Sequence, residues 1–202
     1  MIPIYIATED FLSEVVADRL VADVNQGLYV AVRLGRQGNS YLRKRLPEMV
    51  GIARGIPVVL FTDLDRIDCA PALIATWARG YSVPDTLLFR VVVREMEAWL
   101  LADRRGFADF FKVPLGKIPH DSEGIDDPKQ LLLNLVRRYS NREIKAAILP
   151  ERGSKAKIGL GYNQMLSRYV REKWSIERAM TTSDSLARAH RRLAELRIRT
   201  QA

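Results

Sequence analysis

The sequence contains one cysteine, Cys69, among its 202 residues, so no disulfide can form within the chain. A single cysteine is typical of proteins in a reducing compartment. No apolar run approaches the roughly 20 residues that a membrane-spanning helix needs. The sequence begins MIPIYIATED, with no basic region before its apolar stretch, unlike a secretory signal peptide. We therefore predict a cytoplasmic protein without a signal peptide or a membrane span.

Several familiar site motifs are missing as well. The sequence has no phosphate-binding loop of the Walker type. Its two histidines, His120 and His190, are isolated from each other and from Cys69, so we expect no zinc site. It also has no Ser-His-Asp or Cys-His arrangement that would indicate nucleophilic catalysis. These absences leave the charged residues as the main candidates for function.

Positive charge is in excess and clustered. With 32 Lys and Arg against 24 Asp and Glu, the formal net charge is +8. This balance favours polyanionic partners, because each neutralised phosphate releases condensed counterions. An ordinary basic surface that binds no nucleic acid is the alternative. One basic segment spans 33–45 and a second spans 188–199. We predict nucleic-acid binding by four residues of the first segment, Arg36, Arg43, Lys44 and Arg45.

Apolar runs alternate with helical patterns in the first half of the chain. The runs at 2–7, 27–34, 57–62 and 86–93 are short and nearly all apolar, which predicts four buried strands. Apolar residues at helical spacing follow each of them, at 12–24, 40–53, 71–79 and 95–102. The alternation is typical of an α/β fold in which helices cover a mostly parallel four-stranded sheet.

After residue 102 the strand pattern stops. Helical patterns at 107–111, 128–139, 143–148, 162–174 and 185–198 are separated by breaks rich in Gly, Pro and Asp. Asp127 and Pro128 predict a helix start, and Lys129 beside them could also meet an anion. We interpret 1–103 as an α/β core and 104–202 as an α-helical C-terminal extension packed on it, within one structural unit.

Acidic residues follow the predicted strands. Glu9 comes after the first strand, and Asp63 and Asp65 come directly after the third. Right-handed crossovers bring the carboxyl ends of parallel strands to one edge, where open α/β sheets bind ligands. We therefore expect these carboxylates to meet and to bind Mg²⁺ or Mn²⁺, with Glu9 as a ligand or a general base. The alternative is structural: the aspartates cap a helix near residue 71, and Glu9 favours the positive end of a helix dipole.

Further charged residues are candidates for accessory roles at this edge. They are Glu14, Asp68, Arg94, Glu95 and Glu97. Glu95 and Glu97 follow the fourth strand but do not share a helical face, so at most one is expected to reach the site directly. The structural alternative is a pair of acids favoured by the helix dipole beside a packed Trp99.

TED at 8–10 and DLD at 63–65, each after a strand of a small α/β sheet, resemble the Toprim domain. That domain occurs in topoisomerases, bacterial primases and nucleases of the overcoming-lysogenization-defect type. Four longer stretches are similar to a bacterial Toprim-like family of unknown function: VREMEAWLLAD (93–103), DPK (127–129), GYN (161–163) and SLARAHRRL (185–193). This second resemblance spans nearly the whole chain, and REMEAWLLAD is its most specific part.

The resemblance implies a Mg²⁺-dependent phosphoryl-transfer site, with Glu9 as ligand or general acid/base and Asp63 and Asp65 as metal ligands. It also implies a setting in mobile-element or phage-defence loci, beside a separately encoded ATPase. The chain departs from Toprim nucleases at two positions. Asp10 stands where glycine is usual, and Ser13 stands where a further acid is usual.

Three hypotheses for the function follow. The first is a metal-dependent nuclease or related phosphotransferase that holds the backbone of DNA or RNA through its basic segments. The second is a non-catalytic Toprim-like partner of an ATPase, or a regulator that binds nucleic acid. The third is a haloacid-dehalogenase-like phosphatase with Asp63 as nucleophile and Asp65 as acid. That chemistry normally follows the first strand of its fold, and a Thr or Val is expected where this chain has Ile67.

Overall fold

The structure, a computed structural model, describes residues 1–24 and 27–200. For 197–200 it describes only the backbone, so the side chains of Arg197 and Arg199 in the second basic segment lie outside the described part. The chain divides into two compact units, Met1–Val93 with Ser185–Ala202, and Arg94–Asp184. The first unit ends before the predicted boundary at residue 103 and also takes in the C-terminal segment.

The first unit contains a four-stranded sheet. In the described residues its strands are β1 (Ile2–Ala7), β2 (Leu28–Arg33), β3 (Val58–Asp63) and β4 (Leu87–Val92). Their order is β2-β1-β3-β4, and every neighbouring pair is parallel. The two strands β3 and β4 are buried along nearly their whole length, as expected when helices cover both faces. This arrangement confirms the predicted α/β fold with its C-terminal helical region.

The helices of the described residues are, in chain order, α1 (Phe11–Val24), α2 (Asn39–Ala53), α3 (Ala70–Trp77), α4 (Met96–Ala102), α5 (Arg104–Phe111), α6 (Pro128–Tyr139), α7 (Arg142–Ile148), α8 (Tyr162–Glu172), α9 (Ile176–Met180) and α10 (Asp184–Thr200). The predicted helix start at Pro128 is confirmed, with Asp127 Oδ1 accepting a hydrogen bond from Gln130 N at 2.7 Å. Helix α9 and a 3-10 turn at Leu115–Lys117 were not predicted, because segments so short show no periodicity.

Helices α2 and α3 pack on one face of the sheet. Their buried side chains, among them Trp77, form a core with alternate residues of β3 and β4 such as Leu60 and Phe89. The crossover through α1 runs in the opposite direction across the sheet, so right-handedness puts α1 on the other face. Helix α10 joins α1, where His190 Nε2 lies 3.0 Å from Asp23 Oδ2.

The direction of chain travel through the sheet reverses at β1. The chain moves from β1 out to β2, then returns past β1 to β3 and continues to β4. The connections that leave β1 and β3 therefore run to opposite faces, which opens a crevice at the carboxyl edge between these two strands. Glu9 follows β1 and Asp63 ends β3, so both residues flank this crevice.

The second unit is helical in its described residues and is built around α4. Trp99 in α4 is fully buried, and Trp174 Nε1 donates a hydrogen bond to Trp99 O at 3.1 Å. Phe107, Phe111 and Tyr169 form one aromatic cluster in the same unit, with ring centroids 4.5–6.0 Å apart. None of the helices in the described ranges of either unit is long and apolar enough to cross a membrane.

Candidate functional site

Glu9 lies in the short connection between β1 and α1. Its neighbour Asp10 is the N-cap of α1, because Asp10 Oδ1 accepts hydrogen bonds from Ser13 N at 2.8 Å and Ser13 Oγ at 2.7 Å. Asp10 and Ser13, the two departures from the Toprim nuclease pattern, are thus used together to start a helix. Glu9 is left just outside that helix.

The segment after β2 holds the backbone around Glu9. Arg36 N donates a hydrogen bond to Thr8 O at 2.8 Å. Gly38 N donates to Glu9 O at 2.9 Å. Gly35, which precedes Arg36 in this segment, lies so close to Thr8 that a Cβ at Gly35 would stand 2.2 Å from Thr8 O. Only glycine allows the two segments to approach this closely.

One oxygen of the Glu9 carboxylate is fastened to the end of β3. Thr62 donates its hydroxyl hydrogen to Glu9 Oε1, and Asp63 N donates to the same oxygen at 2.9 Å. In the described part of the chain, no hydrogen bond reaches Glu9 Oε2. The side chain is therefore fixed between β1 and β3 through one oxygen, and the other has no partner among the described residues.

The DLD segment turns sharply at the end of β3. Leu64 is buried, and Leu64 N donates to Val92 O at 2.8 Å, so pairing with β4 continues beyond Asp63. Asp65 then adopts the left-handed conformation, with a φ of 51°, which Asp tolerates better than most residues do. Asp65 Oδ2 accepts a hydrogen bond from Asn39 Nδ2 at 3.3 Å. The turn thus brings Asp65 to the first residue of α2.

Negative charge accumulates around Glu9. Burial raises the pKa of the Glu9 carboxyl, and the charges of Asp65 and Asp10 raise it further. The hydrogen bonds from Thr62 and Asp63 lower this pKa without cancelling the increase. The charge of Asp65 acts on Glu9, and the backbone amide of Asp63 is hydrogen-bonded to the Glu9 carboxylate. Glu9, Asp63 and Asp65 are therefore neighbours at one edge of the sheet.

The donor chemistry of this edge suits a hard cation. Mg²⁺ prefers oxygen ligands and is commonly held by one or two protein carboxylates, with waters and substrate phosphates completing its shell. Glu9 Oε2 and the carboxylates of Asp63 and Asp65 are donors of this kind. Among the residues that the structure describes, no group of three or more His, Cys, Asp or Glu side chains is arranged to hold a metal ion. Asp68, the other candidate on this connection, is exposed.

Glu14 and Arg36 bind each other. Glu14 in α1 is only 4% exposed, and its carboxylate accepts hydrogen bonds from Arg36 Nε, at 2.7 Å, and Arg36 Nη2. Arg33 Nε lies 3.2 Å from Glu14 Oε1. The candidate accessory acid is thus neutralised by two arginines. Arg36, a predicted nucleic-acid ligand, instead ties the segment after β2 to α1.

The three other predicted nucleic-acid-binding residues lie on two sides of α2. Arg43 and Lys44 are exposed and line a groove of about 530 Å³. Arg45 forms an ion pair with Glu48, and its guanidinium lies 5.5 Å from the centroid of the Tyr41 ring. Only Arg43 and Lys44 of this group face the groove.

Arg94, Glu95 and Glu97 belong to the second unit. Glu95 Oε2 accepts a hydrogen bond from Lys129 N at 3.2 Å, in the first turn of α6. Glu97 is buried and accepts a hydrogen bond from Tyr162 Oη at 2.7 Å, with Lys129 Nζ 3.4 Å away. Burial and the charge of Glu97 raise the pKa of Glu95. The stretches REMEAWLLAD, DPK and GYN thus meet in one cluster.

Sequence reasoning did not find two side chains that build the Glu9 site. Thr62 is buried and is the one hydroxyl in the apolar strand PVVLFTD, which was an available signal. Asn39 opens α2 in a polar stretch, and nothing in the sequence connects it with Asp65. The chain matches no family model, no curated protein and no solved structure. The site is therefore described by its own geometry alone.

Proposed function

We propose that this chain is a Mg²⁺- or Mn²⁺-dependent phosphoryl-transfer protein that acts on nucleic acid as a nuclease. One observation carries the proposal. The Glu9 carboxylate is held by β3 beside Asp63 and within the field of Asp65, at the crevice where open α/β sheets bind ligands. A structural role as helix cap does not account for Glu9, because Asp10 already caps α1.

Glu9, Asp63 and Asp65 would supply the one or two carboxylates that hold the metal ion, since among the described residues the three are not all arranged around one point. A bound divalent cation would neutralise the charge of a scissile phosphate and orient the attacking water. The protein's own contribution is positioning. Thr62 and the Asp63 amide fix one oxygen of Glu9, and Asn39 orients Asp65. Positioning and electrostatic stabilisation supply most of the catalysis in phosphoryl transfer.

The charge distribution supports a nucleic-acid substrate. The net charge of +8 favours polyanions, and Arg43 and Lys44 project from α2, whose first residue contacts Asp65. The Toprim-like assignment, the separately encoded ATPase and the mobile-element or defence setting belong to the same proposal, on the strength of the resemblance alone. The phosphatase alternative is disfavoured because Asp63 ends the third strand of the chain.

The test is cleavage of labelled single-stranded DNA, duplex DNA and RNA with Mg²⁺ or Mn²⁺, compared with chelator. We expect metal-dependent cleavage by the wild type, and a loss of at least about 100-fold in Asp63→Ala and Asp65→Asn, because removal of a group that stabilises developing charge has this effect. Asp126→Asn removes one carboxylate from an exposed position in the second unit and should keep full activity. Circular dichroism establishes that each variant is folded.

Cleavage that survives in both aspartate variants contradicts the proposed site. Salt-sensitive binding of nucleic acid without turnover in any divalent ion contradicts the nuclease and favours the non-catalytic partner instead.

A further inference from the structure

The groove beside α2 has an unusual lining. It has a volume of about 530 Å³ and lies between α2 and the segment that runs from α3 towards β4. Among the described residues, its lining includes three cations, two aromatic rings and two aliphatic hydroxyls, and no Asp or Glu is among them. Those that matter most are Arg43, Lys44, Arg79, Trp77 and Tyr81.

The three cations of the groove are uncompensated. Arg43, Lys44 and Arg79 are exposed, and in the described part of the chain none of them forms an ion pair. Arg45, by contrast, is one residue further along α2 and is bound to Glu48. Positive side chains that are left without acids along a groove are the electrostatic footprint expected for a phosphate backbone.

The aromatic residues of the groove differ in their roles. Trp77 is 8% exposed and packs against Phe89, with the ring centroids 5.4 Å apart, so it forms part of the floor. Tyr81 is 46% exposed, in a turn that is closed by a hydrogen bond from Tyr81 N to Ala78 O at 2.9 Å. A ring that is exposed on a turn, next to cations, offers a face on which a base can stack.

One end of the groove lies next to a contact of the candidate site. Ser40 lines the groove, and the residue before it, Asn39, bonds to Asp65. A chain of phosphates lying along Arg43 and Lys44 would therefore approach the carboxylates of Asp65 and Glu9 at the amino end of α2. This end of the helix also favours negative charge.

We propose that this groove binds single-stranded nucleic acid, with its phosphates on Arg43, Lys44 and Arg79 and one base stacked on Tyr81. The inference rests on the proposed function for the identity of the polyanion, and it adds the strandedness of the substrate. A duplex keeps its bases stacked on one another inside the helix, so it cannot offer a base to Tyr81. A single strand can do so at low cost, and stacking of this kind tolerates any sequence.

The experiment measures binding without cleavage. Fluorescence anisotropy is recorded with labelled oligothymidylate and with a blunt duplex of the same length, in chelator, over a series of salt concentrations. We expect the wild type to prefer the single strand. Arg43→Glu/Lys44→Glu should weaken binding by at least about 10-fold and reduce the salt slope by about 1.4, since each phosphate contact with a single strand contributes about 0.7.

Tyr81→Ala should weaken binding by about 5- to 150-fold, the range that corresponds to loss of one stacked base. The matched controls are Tyr29→Ala, which removes a ring that is 43% exposed on β2, and Arg54→Glu at the other end of α2. Both controls should bind as the wild type does, apart from a small general effect of charge in Arg54→Glu.

The outcomes separate the two proposals. The inference is overturned if the wild type binds no single strand, prefers the duplex, or binds equally well without Tyr81 or the Arg43–Lys44 pair. These results leave the nuclease test untouched, because that test depends on Asp63 and Asp65. Conversely, selective single-strand binding through the groove by a protein that cleaves nothing supports the groove and contradicts the nuclease.

Discussion

Thr62 holds Glu9 in place, since its hydroxyl donates a hydrogen bond to Glu9 Oε1. This bond joins the carboxylate that follows β1 to the end of β3. The two residues are 53 positions apart in the sequence, and they meet only when β1 and β3 pair. The position of Glu9 is therefore a property of the assembled sheet and not of its local loop. Residues that build this arrangement can be tested without touching a carboxylate.

The first prediction concerns the hydroxyl of Thr62. Thr62→Val keeps the shape of the buried side chain and removes the hydrogen bond, so Glu9 loses one of its two fixed donors. We expect metal-dependent activity to fall by about 10- to 100-fold, as is usual when a group that orients a metal ligand is lost. Thr62→Ser should recover most of the activity. Thr181→Val, which removes an exposed hydroxyl in the second unit, is the control, and equal activity in Thr62→Val and this control would contradict the proposed role.

The second prediction concerns the close approach at Gly35. A Cβ at this position would lie 2.2 Å from Thr8 O and 2.7 Å from Thr8 N, and backbone atoms cannot move aside easily. We expect Gly35→Ala to destabilise the protein by about 1–3 kcal/mol, as overpacking does, and to reduce activity by displacing the chain around Glu9. The measurements are chemical denaturation and the cleavage assay.

The control for Gly35 is Gly51, which is exposed within α2 and has open space where a Cβ would stand. Gly51→Ala should stabilise the protein by about 0.5–1 kcal/mol, because alanine loses less backbone entropy in a helix. If the two alanine variants have the same stability and activity, the contact between Gly35 and Thr8 is not the constraint that the geometry indicates.

The sequence was sufficient to predict what depends on pattern and connectivity. Four apolar runs identified the strands, and the crossover rule placed Glu9 and Asp63 at one edge from the sequence alone. It was not sufficient for side-chain partners. Arg36 and Glu14 are 22 positions apart, and only the path of the segment after β2 brings them together. Neither residue type nor spacing could show that this arginine neutralises a buried acid instead of facing a ligand.

Helix geometry would have separated two of the predicted nucleic-acid ligands. Lys44 and Arg45 are successive residues of α2 and so point about 100° apart around its axis. In the structure, Lys44 lines the groove and Arg45 forms an ion pair with Glu48. The return of α10 to the first unit had no comparable signal, because its apolar spacing fits any neighbouring surface.

The third prediction concerns Asp103, which organises the second unit. It is 1% exposed and accepts hydrogen bonds from Gly106 N at 3.0 Å, Ser175 N at 2.8 Å and Arg178 Nε at 2.7 Å. Asp103→Ala leaves these donors without their acceptor, and we expect a loss of about 2–4 kcal/mol. Hydrogen exchange should locate the loss in α5 and α9. Asp126→Ala, at an exposed position, is the control, and equal protection in both variants would contradict this role for Asp103.

The last prediction concerns the pH dependence that Glu95 gives to the second unit. Burial, and then the charge of Glu97, raise the pKa of Glu95 above its ordinary value of 4.5 in the folded state. The folded protein therefore binds this proton more tightly than the unfolded chain does, and the stability contributed by the group falls as the pH rises from 4.5 through the raised pKa.

Glu95→Gln removes the titration, while its amide oxygen can still accept the hydrogen bond from Lys129 N. We expect the stability of this variant relative to the wild type to increase with pH across that window and to become constant above it. Denaturation curves measured at a series of pH values test this, and a stability difference that stays constant or decreases as the pH rises would show that Glu95 is not held in a charge-disfavouring environment.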